Sequence, residues 1–282
     1  LGLLGLTVAA GAQEEPLNVV VFGAHPDDCD LDAGGTALLY STMGHRVKFV
    51  SLTNGDAGHY SHGREDLEAI RRKEAAEAGK RFGVTYTVLD NHDGELLPTL
   101  ENRMQVIREI RDWDADIVIA PRPNDYHPDH RYTGVLVQDA AYMVIVPGLA
   151  PESPPLEKNP VFLYSADHFQ KPAPFEPQIA IDITPVFDKK IYALAAHESQ
   201  FFDWLPWTAG KLDEVPAGEK ERLAYLAGWR AASPDPATRK SLEKWYGPAA
   251  TEVRHAEAFE ICEYGKQPTG DEIRRLFPML NP

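Results

Sequence analysis

The chain has 282 residues, 43% of them hydrophobic, with a formal net charge of −15 at pH 7 and two cysteines. That length and apolar content can fill one large α/β domain and exclude a disordered or fibrous chain. The acidic balance, uninterrupted by any basic stripe, excludes nucleic acid as a partner, and two cysteines do not make a disulfide scaffold.

Residues 1–13, LGLLGLTVAAGAQ, form an apolar run that ends in Ala10-Gly11-Ala12, the pattern of a secretory signal with a small-residue cleavage site. We therefore expect residues 1–15 to be a signal-peptide remnant and the product to be exported, periplasmic or secreted. The competing reading is an ordinary N-terminal helix, set apart from the first strand by the polar Gln13-Glu14-Glu15-Pro16. No later stretch is apolar for long enough to span a bilayer.

The run 17–23, LNVVVFG, reads as a buried strand, followed by strands at 46–53, 84–89 and 116–120. Helical patterns at 34–43, 64–82 and 99–112 lie between them, and 130–146 supplies the next. This alternation predicts right-handed crossovers and a Rossmann-like, doubly wound, mostly parallel α/β sheet covered on both faces. Prolines over 147–178 break the alternation, so we expect a domain over 16–282 with a core at 17–150 and an irregular C-terminal extension at 151–282. Within that extension, strand-like runs at 161–165 and 178–182 and helix-like runs at 185–200 and 218–231 can be placed only coarsely.

Two polar clusters each follow a predicted strand: Ala24-His25-Pro26-Asp27-Asp28 and His127-Pro128-Asp129-His130. With strand order 3-2-1-4-5, strands one and four are neighbours and the chain leaves them in opposite directions, opening a crevice beyond their carboxyl ends. Imidazole and carboxylate are the ligands that catalytic zinc accepts, usually three from the protein. His25, Asp28 and His130 supply such a set, leaving Asp27 and His127 for the proton transfers of amide hydrolysis. Either cluster alone reads equally well as a turn with a helix cap. Their convergence on one switch point favours the metal. Cys29 lies inside this loop, so a bridge to Cys262 is not expected. Gly34-Gly35 lacks the spacing of a dinucleotide fingerprint.

AHPDD followed by CDLDAGGT, and later HPDHR, resemble the two motifs of the LmbE-like or PIG-L-type deacetylases, zinc enzymes acting on N-acetylglucosaminyl compounds. Further similarities are Thr53-Asn54-Gly55-Asp56-Ala57-Gly58, the Arg71-x-x-Glu74 pattern, Asp93-Gly94, Ala196-His197-Glu198-Ser199-Gln200 and Ala256-Glu257-Ala258-Phe259, together covering most of residues 18–260. The resemblance implies that His25, Asp28 and His130 hold Zn2+, that Asp27 is the general base, and that His127 stabilises the oxyanion with Asp129 orienting it. It also implies that Arg71 and Asp93 contact sugar hydroxyls and that His197 lies near the pocket as a substrate-binding residue. The competing readings are a solvated helix face for Arg71, a turn aspartate for Asp93 and a helix-end histidine bonded to a carbonyl for His197. Departures are Cys29, where many relatives have Glu, with an acid arriving only at Asp30, and Tyr126 placed directly beside His127.

The expected function is removal of the acetyl group from an N-acetylated sugar or glycoconjugate. The alternatives are an amidase of a larger N-acyl conjugate and a non-catalytic carbohydrate-binding protein of the same fold.

Overall fold

The β-branched run at the start of the domain is buried on both sides: Val19, Val20, Val21 and Phe22 are each no more than 2% exposed in the computed structural model, which describes residues 15–230 and 233–280. This run is β1 (Asn18–Gly23), and burial on both faces is what a central parallel strand requires. Its neighbours are β2 (Arg46–Thr53) and β4 (Ile117–Ala120), both parallel to it, with β3 (Thr85–Asn91) parallel to β2 at one edge. β5 (Val161–Ser165) continues the parallel set beyond β4. β7 (Ala256–Gly265) then runs antiparallel to β5 and to β6 (Ile179–Asp182), completing a seven-stranded sheet in the order β3-β2-β1-β4-β5-β7-β6.

The expected doubly wound sheet is thus present, and the sheet is extended in opposite directions from β1 and from β4. The segment expected as an irregular extension contributes three strands to the same sheet. β7 was not anticipated as a strand, because its alternation is diluted by Glu257, Glu260 and Glu263. The expected signal remnant lies outside the described residues, apart from Glu15, and among the described residues no helix is long and apolar enough to cross a membrane.

Alternate residues of β1 point to opposite faces, and two cores follow. Val19 and Val21 join one that includes Ala33 and Ala37 of α1 (Asp28–Thr42), Phe82 of α2 (Arg64–Phe82) and Ile191 of α5 (Phe187–Leu194). Val20 and Phe22 join the other, with Ile107 of α3 (Leu100–Asp112) and Leu136 of α4 (Pro128–Met143). α1 begins at Asp28, well before the helix expected at 34, because the paired aspartates open it directly after the loop. A Cβ at Gly34 would meet the Phe82 ring at 2.7 Å and one at Gly35 the Ile183 side chain at 2.7 Å, so the double glycine serves close packing. The Gly35 and Thr36 N–H groups donate to the Glu257 carboxylate, which also binds Lys190 Nζ at 2.6 Å. That buried ion pair ties α1 to α5 and β7.

The helix expected over 185–200 ends early. α5 stops at Leu194, and after a turn at His197 the chain winds into a wide π-type turn over Ser199–Trp204 and the short α6 (Leu205–Thr208). Beyond these lie α7 (Glu219–Arg230), α8 (Pro236–Tyr246) and α9 (Gly270–Leu276).

Candidate metal and catalytic site

The loop after β1 is folded by its own acid. Asp28 Oδ2 accepts the backbone N–H groups of Ala24 at 2.9 Å and His25 at 2.8 Å, turning the chain sharply into α1. The loop after β4 enters α4 with Pro128 in its first turn and His127 as the cap, whose Nδ1 accepts the Asp129 N–H at 3.2 Å. Both loops stand at the carboxyl ends of adjacent strands, over a cavity of about 310 Å³.

Three donor atoms meet there. His130 Nε2 is 3.2 Å from His25 Nδ1 and 3.5 Å from Asp28 Oδ2, and His25 Nδ1 is 3.4 Å from Asp28 Oδ2. Ligands about 2.0–2.2 Å from a tetrahedral zinc stand roughly 3.3–3.6 Å from one another, so this triangle fits one face of such a site. The far nitrogen of each ring is held by a carboxylate: His25 Nε2 by Asp93 at 3.1 Å with Asp129 at 3.4 Å, and His130 Nδ1 by Asp125 at 3.1 Å. Carboxylates so placed fix the ring orientation and raise the basicity of a metal-ligating imidazole. His25, His127 and His130 also form a possible set, with one ligand atom of each within 4.8 Å of the others. The Asp28 triangle is tighter, and His127 Nδ1 is already engaged by a backbone N–H.

Electrostatics follow from this crowding. Burial opposes a charge on His25, but hydrogen bonds to Asp129, Asp28 and Asp93 outweigh it and hold its pKa well above the ordinary value. For His130, burial is likewise outweighed, by the charge of Asp28 and the bond to Asp125. Asp28 is depressed well below the usual carboxylate range because His130 and His25 overcome its burial. Such a cluster of anionic oxygen and proton-hungry nitrogens offers a cation what it would otherwise take from protons.

Asp27 is 2% exposed and its Oδ1 has no hydrogen-bond partner among the described residues. Burial, reinforced by the charge of Asp28, pushes its carboxyl up to about 6, with Arg71, His197 and His25 opposing. A carboxylate poised near neutrality and left free on one oxygen can accept a proton. For His127, burial and then the charges of His25 and His130 lower the pKa, so the ring is neutral at pH 7. Since its Nδ1 accepts from the backbone, its proton sits on Nε2 as a donor.

Several expected roles are redirected by the geometry. The Asp129 carboxylate accepts from the backbone of Gly94 and Leu96 and faces His25; it is the Asp129 N–H that meets His127. Asp93 shares its carboxylate with His25, so it is more than a free acceptor for sugar hydroxyls. Arg71 is 2% exposed while Arg72 and Lys73 face outward, which removes the solvated-helix reading. Its Nη2 donates to Gly58 O at 3.1 Å and Gln200 Oε1 at 2.5 Å. His197 is completely buried, with Nε2 2.9 Å from Asp30, whose other oxygen accepts from Tyr86 at 2.7 Å. A ring with no exposed surface does not touch substrate; its charge acts on Asp27, and its Nδ1 has no partner among the described residues. Asp30 accordingly supports His197. Tyr126, 73% exposed, lines the cavity rim with its ring edge toward His127 and His130. Cys29 and Cys262 are both free and buried. Asp125, the partner of His130, was missed; its signal was an acid two residues before the second cluster.

Residues 20–141 match the family described as PIG-L, GlcNAc-PI de-N-acetylase. Over that segment the chain is similar to the PIG-L family. The PIG-L match spans β1 to the end of α4 and so contains every residue of the donor triangle. The "Diacetylchitobiose deacetylase" of Thermococcus kodakarensis is 29% identical over 205 residues, 68% of this chain and 76% of the relative. The "Probable N-acetyl-alpha-D-glucosaminyl L-malate deacetylase 2" of Bacillus cereus is 29% identical over 224 residues, 75% of this chain and 93% of the relative. Among solved structures, the N,N'-diacetylchitobiose deacetylase from Pyrococcus horikoshii superposes with a TM-score of 0.65 and 28% identity, covering 86% of this chain and 83% of that one.

Proposed function

We propose that this protein is a zinc-dependent amidohydrolase that removes the acetyl group from the amide nitrogen of an N-acetylated sugar. The observation that carries the proposal is the donor triangle of His25, Asp28 and His130 with the half-free carboxylate of Asp27 beside it. The PIG-L match and the deacetylases it resembles support the same reaction class.

His25, Asp28 and His130 would hold a divalent ion, which would supply Lewis-acid activation of water and of the amide carbonyl. The attacking water forms a bond to the acyl carbon while Asp27 takes its proton at the free Oδ1. His127 donates its Nε2 proton as a hydrogen bond to the oxygen that gains charge, an interaction worth most in the transition state. The carbon–nitrogen bond then breaks, Asp27 returns the proton to the departing nitrogen, and the products are acetate and a free amine. Asp93 and Asp129 hold His25, and Asp125 holds His130, so the donor atoms need little reorganisation. Arg71, paired with Gln200 and Gly58, gives the neighbouring wall a buried guanidinium whose Nε has no partner among the described residues.

Acetate release from N-acetylglucosamine, its short oligomers and N-acetylated glycosides by zinc-loaded protein tests the proposal. Release that depends on the ion is expected. No release from any of them, by protein shown to hold one ion per chain, overturns it.

A further inference from the structure

Asp32 stands one helical turn beyond Asp28 on α1, so the two carboxylates and Leu31 face the same cavity. Its Oδ2 accepts a 2.7 Å hydrogen bond from Ser165 Oγ at the end of β5. Its Oδ1 has no hydrogen-bond partner among the described residues. Neither the donor triangle nor the proton transfers use it.

A carboxyl in this place is held at a cost. Burial, opposed by the Ser165 hydrogen bond and aided by the charge of Asp28, pushes it up to about 7. Carboxyls so perturbed in a cleft are candidates for functional positions. The rest of the wall explains what it would select. Among the described lining residues Arg122 is the one guanidinium, and its Nε and Nη2 each lie 2.6 Å from Asp167, while Nη2 and Nη1 also donate to the carbonyls of Phe169 and Ala173. Asp27, Asp28, Asp32 and Asp125 share the cavity. An anionic substituent therefore meets carboxylates, and the one guanidinium in the lining is already paired with Asp167, whereas a hydroxyl or ammonium finds an acceptor already aimed.

We propose that Asp32, positioned by Ser165, contacts the substrate by accepting a hydrogen bond from a hydroxyl or ammonium group of the sugar, and that it restricts the enzyme to neutral or amino sugars over phosphate- or carboxylate-bearing ones. The inference rests on the amidohydrolase reading above. If the Asp32–Ser165 bond served only to fasten α1 to β5, its loss would lower stability and leave substrate preference unchanged.

The test compares kcat/KM of zinc-loaded wild type, Asp32→Asn and Ser165→Ala on N-acetylglucosamine, N,N'-diacetylchitobiose, N-acetylglucosamine 1-phosphate, N-acetylglucosamine 6-phosphate and N-acetylmuramic acid. Wild type should favour the best neutral sugar by about tenfold or more, since like charges brought together are costly. Asp32→Asn should lower kcat/KM on that sugar by about fivefold or more, chiefly through KM, and narrow the gap to the acidic sugars, with zinc content unchanged. Calorimetry should show weaker binding of glucosamine to the same variant. Ser165→Ala should move preference in the same direction, which keeps the test open if Asp32→Asn does not fold. Equal wild-type rates on neutral and acidic sugars would overturn the inference, as would an Asp32→Asn enzyme with wild-type preference and glucosamine affinity. Absence of acetate from all of the sugars would instead remove the amidohydrolase reading, and this inference with it.

Discussion

His25 Nδ1 and His130 Nε2 stand 3.2 Å apart although the two residues are separated by 105 positions in the chain. Two ring nitrogens facing each other at that distance, both near the Asp28 carboxylate, must share a proton or a cation between them. The fold places them so because β1 and β4 are adjacent and their loops leave in opposite directions.

The pH dependence of stability follows from that arrangement. The folded-state pKa values of His25 and His130 are raised, so their contribution to the metal-free protein is fully present below the unfolded value of about 6.5 and is lost as pH rises through the folded values. Zinc meets less competition from protons over the same range. The difference in Tm between zinc-loaded and metal-free protein should therefore widen from roughly pH 6 to 9. Thermal melts at stepped pH check this, and a gap that narrows with pH contradicts it.

Asp27→Asn should keep the metal and lose about a hundredfold to ten-thousandfold in kcat, because an amide cannot accept the proton. Elemental analysis and steady-state kinetics on one preparation decide the point. A variant retaining more than about a tenth of wild-type kcat would remove Asp27 from the role.

His197→Ala tests whether a residue without access to substrate supports the base. The ring is bonded to Asp30 and its charge acts on Asp27, so the variant should lose about tenfold to a hundredfold in kcat, with KM and zinc content unchanged. His197→Gln can still donate to Asp30 and should recover part of the loss. Wild-type kcat in His197→Ala would make the buried ring a packing element only.

For Asp93, metal affinity separates two roles. If its hydrogen bond to His25 dominates, Asp93→Asn should weaken zinc binding by about tenfold to a hundredfold. If sugar contact dominates, competition against a zinc chelator should show unchanged affinity and the loss should appear in KM. The 3.1 Å bond leads us to expect the first outcome.

Glu257→Gln should cost about 3–5 kcal/mol in urea denaturation of the zinc-loaded protein, because it strands Lys190 in a buried position. A single variant within about 1 kcal/mol of wild type would show that water reaches the pair.

What the sequence determined by itself is the local chemistry and the alternation of elements. The run of Val19, Val20 and Val21, the helical periods between strands and the ligand types in the two clusters are properties of short segments, read from neighbours in the chain. From them came the doubly wound sheet, the switch point and the expectation that His25, Asp28 and His130 form one donor set. The tertiary structure alone decided which carboxylate serves which ring. Asp129 lies beside His127 in sequence yet turns to His25, since the backbone of Gly94 and Leu96 takes its oxygens; Asp125 reaches His130; and His197 comes in from a distant turn to meet Asp30. A hydrogen bond depends on directions and distances between elements, and those are set by how helices pack on a twisted sheet. No periodicity or spacing within one segment carries that information.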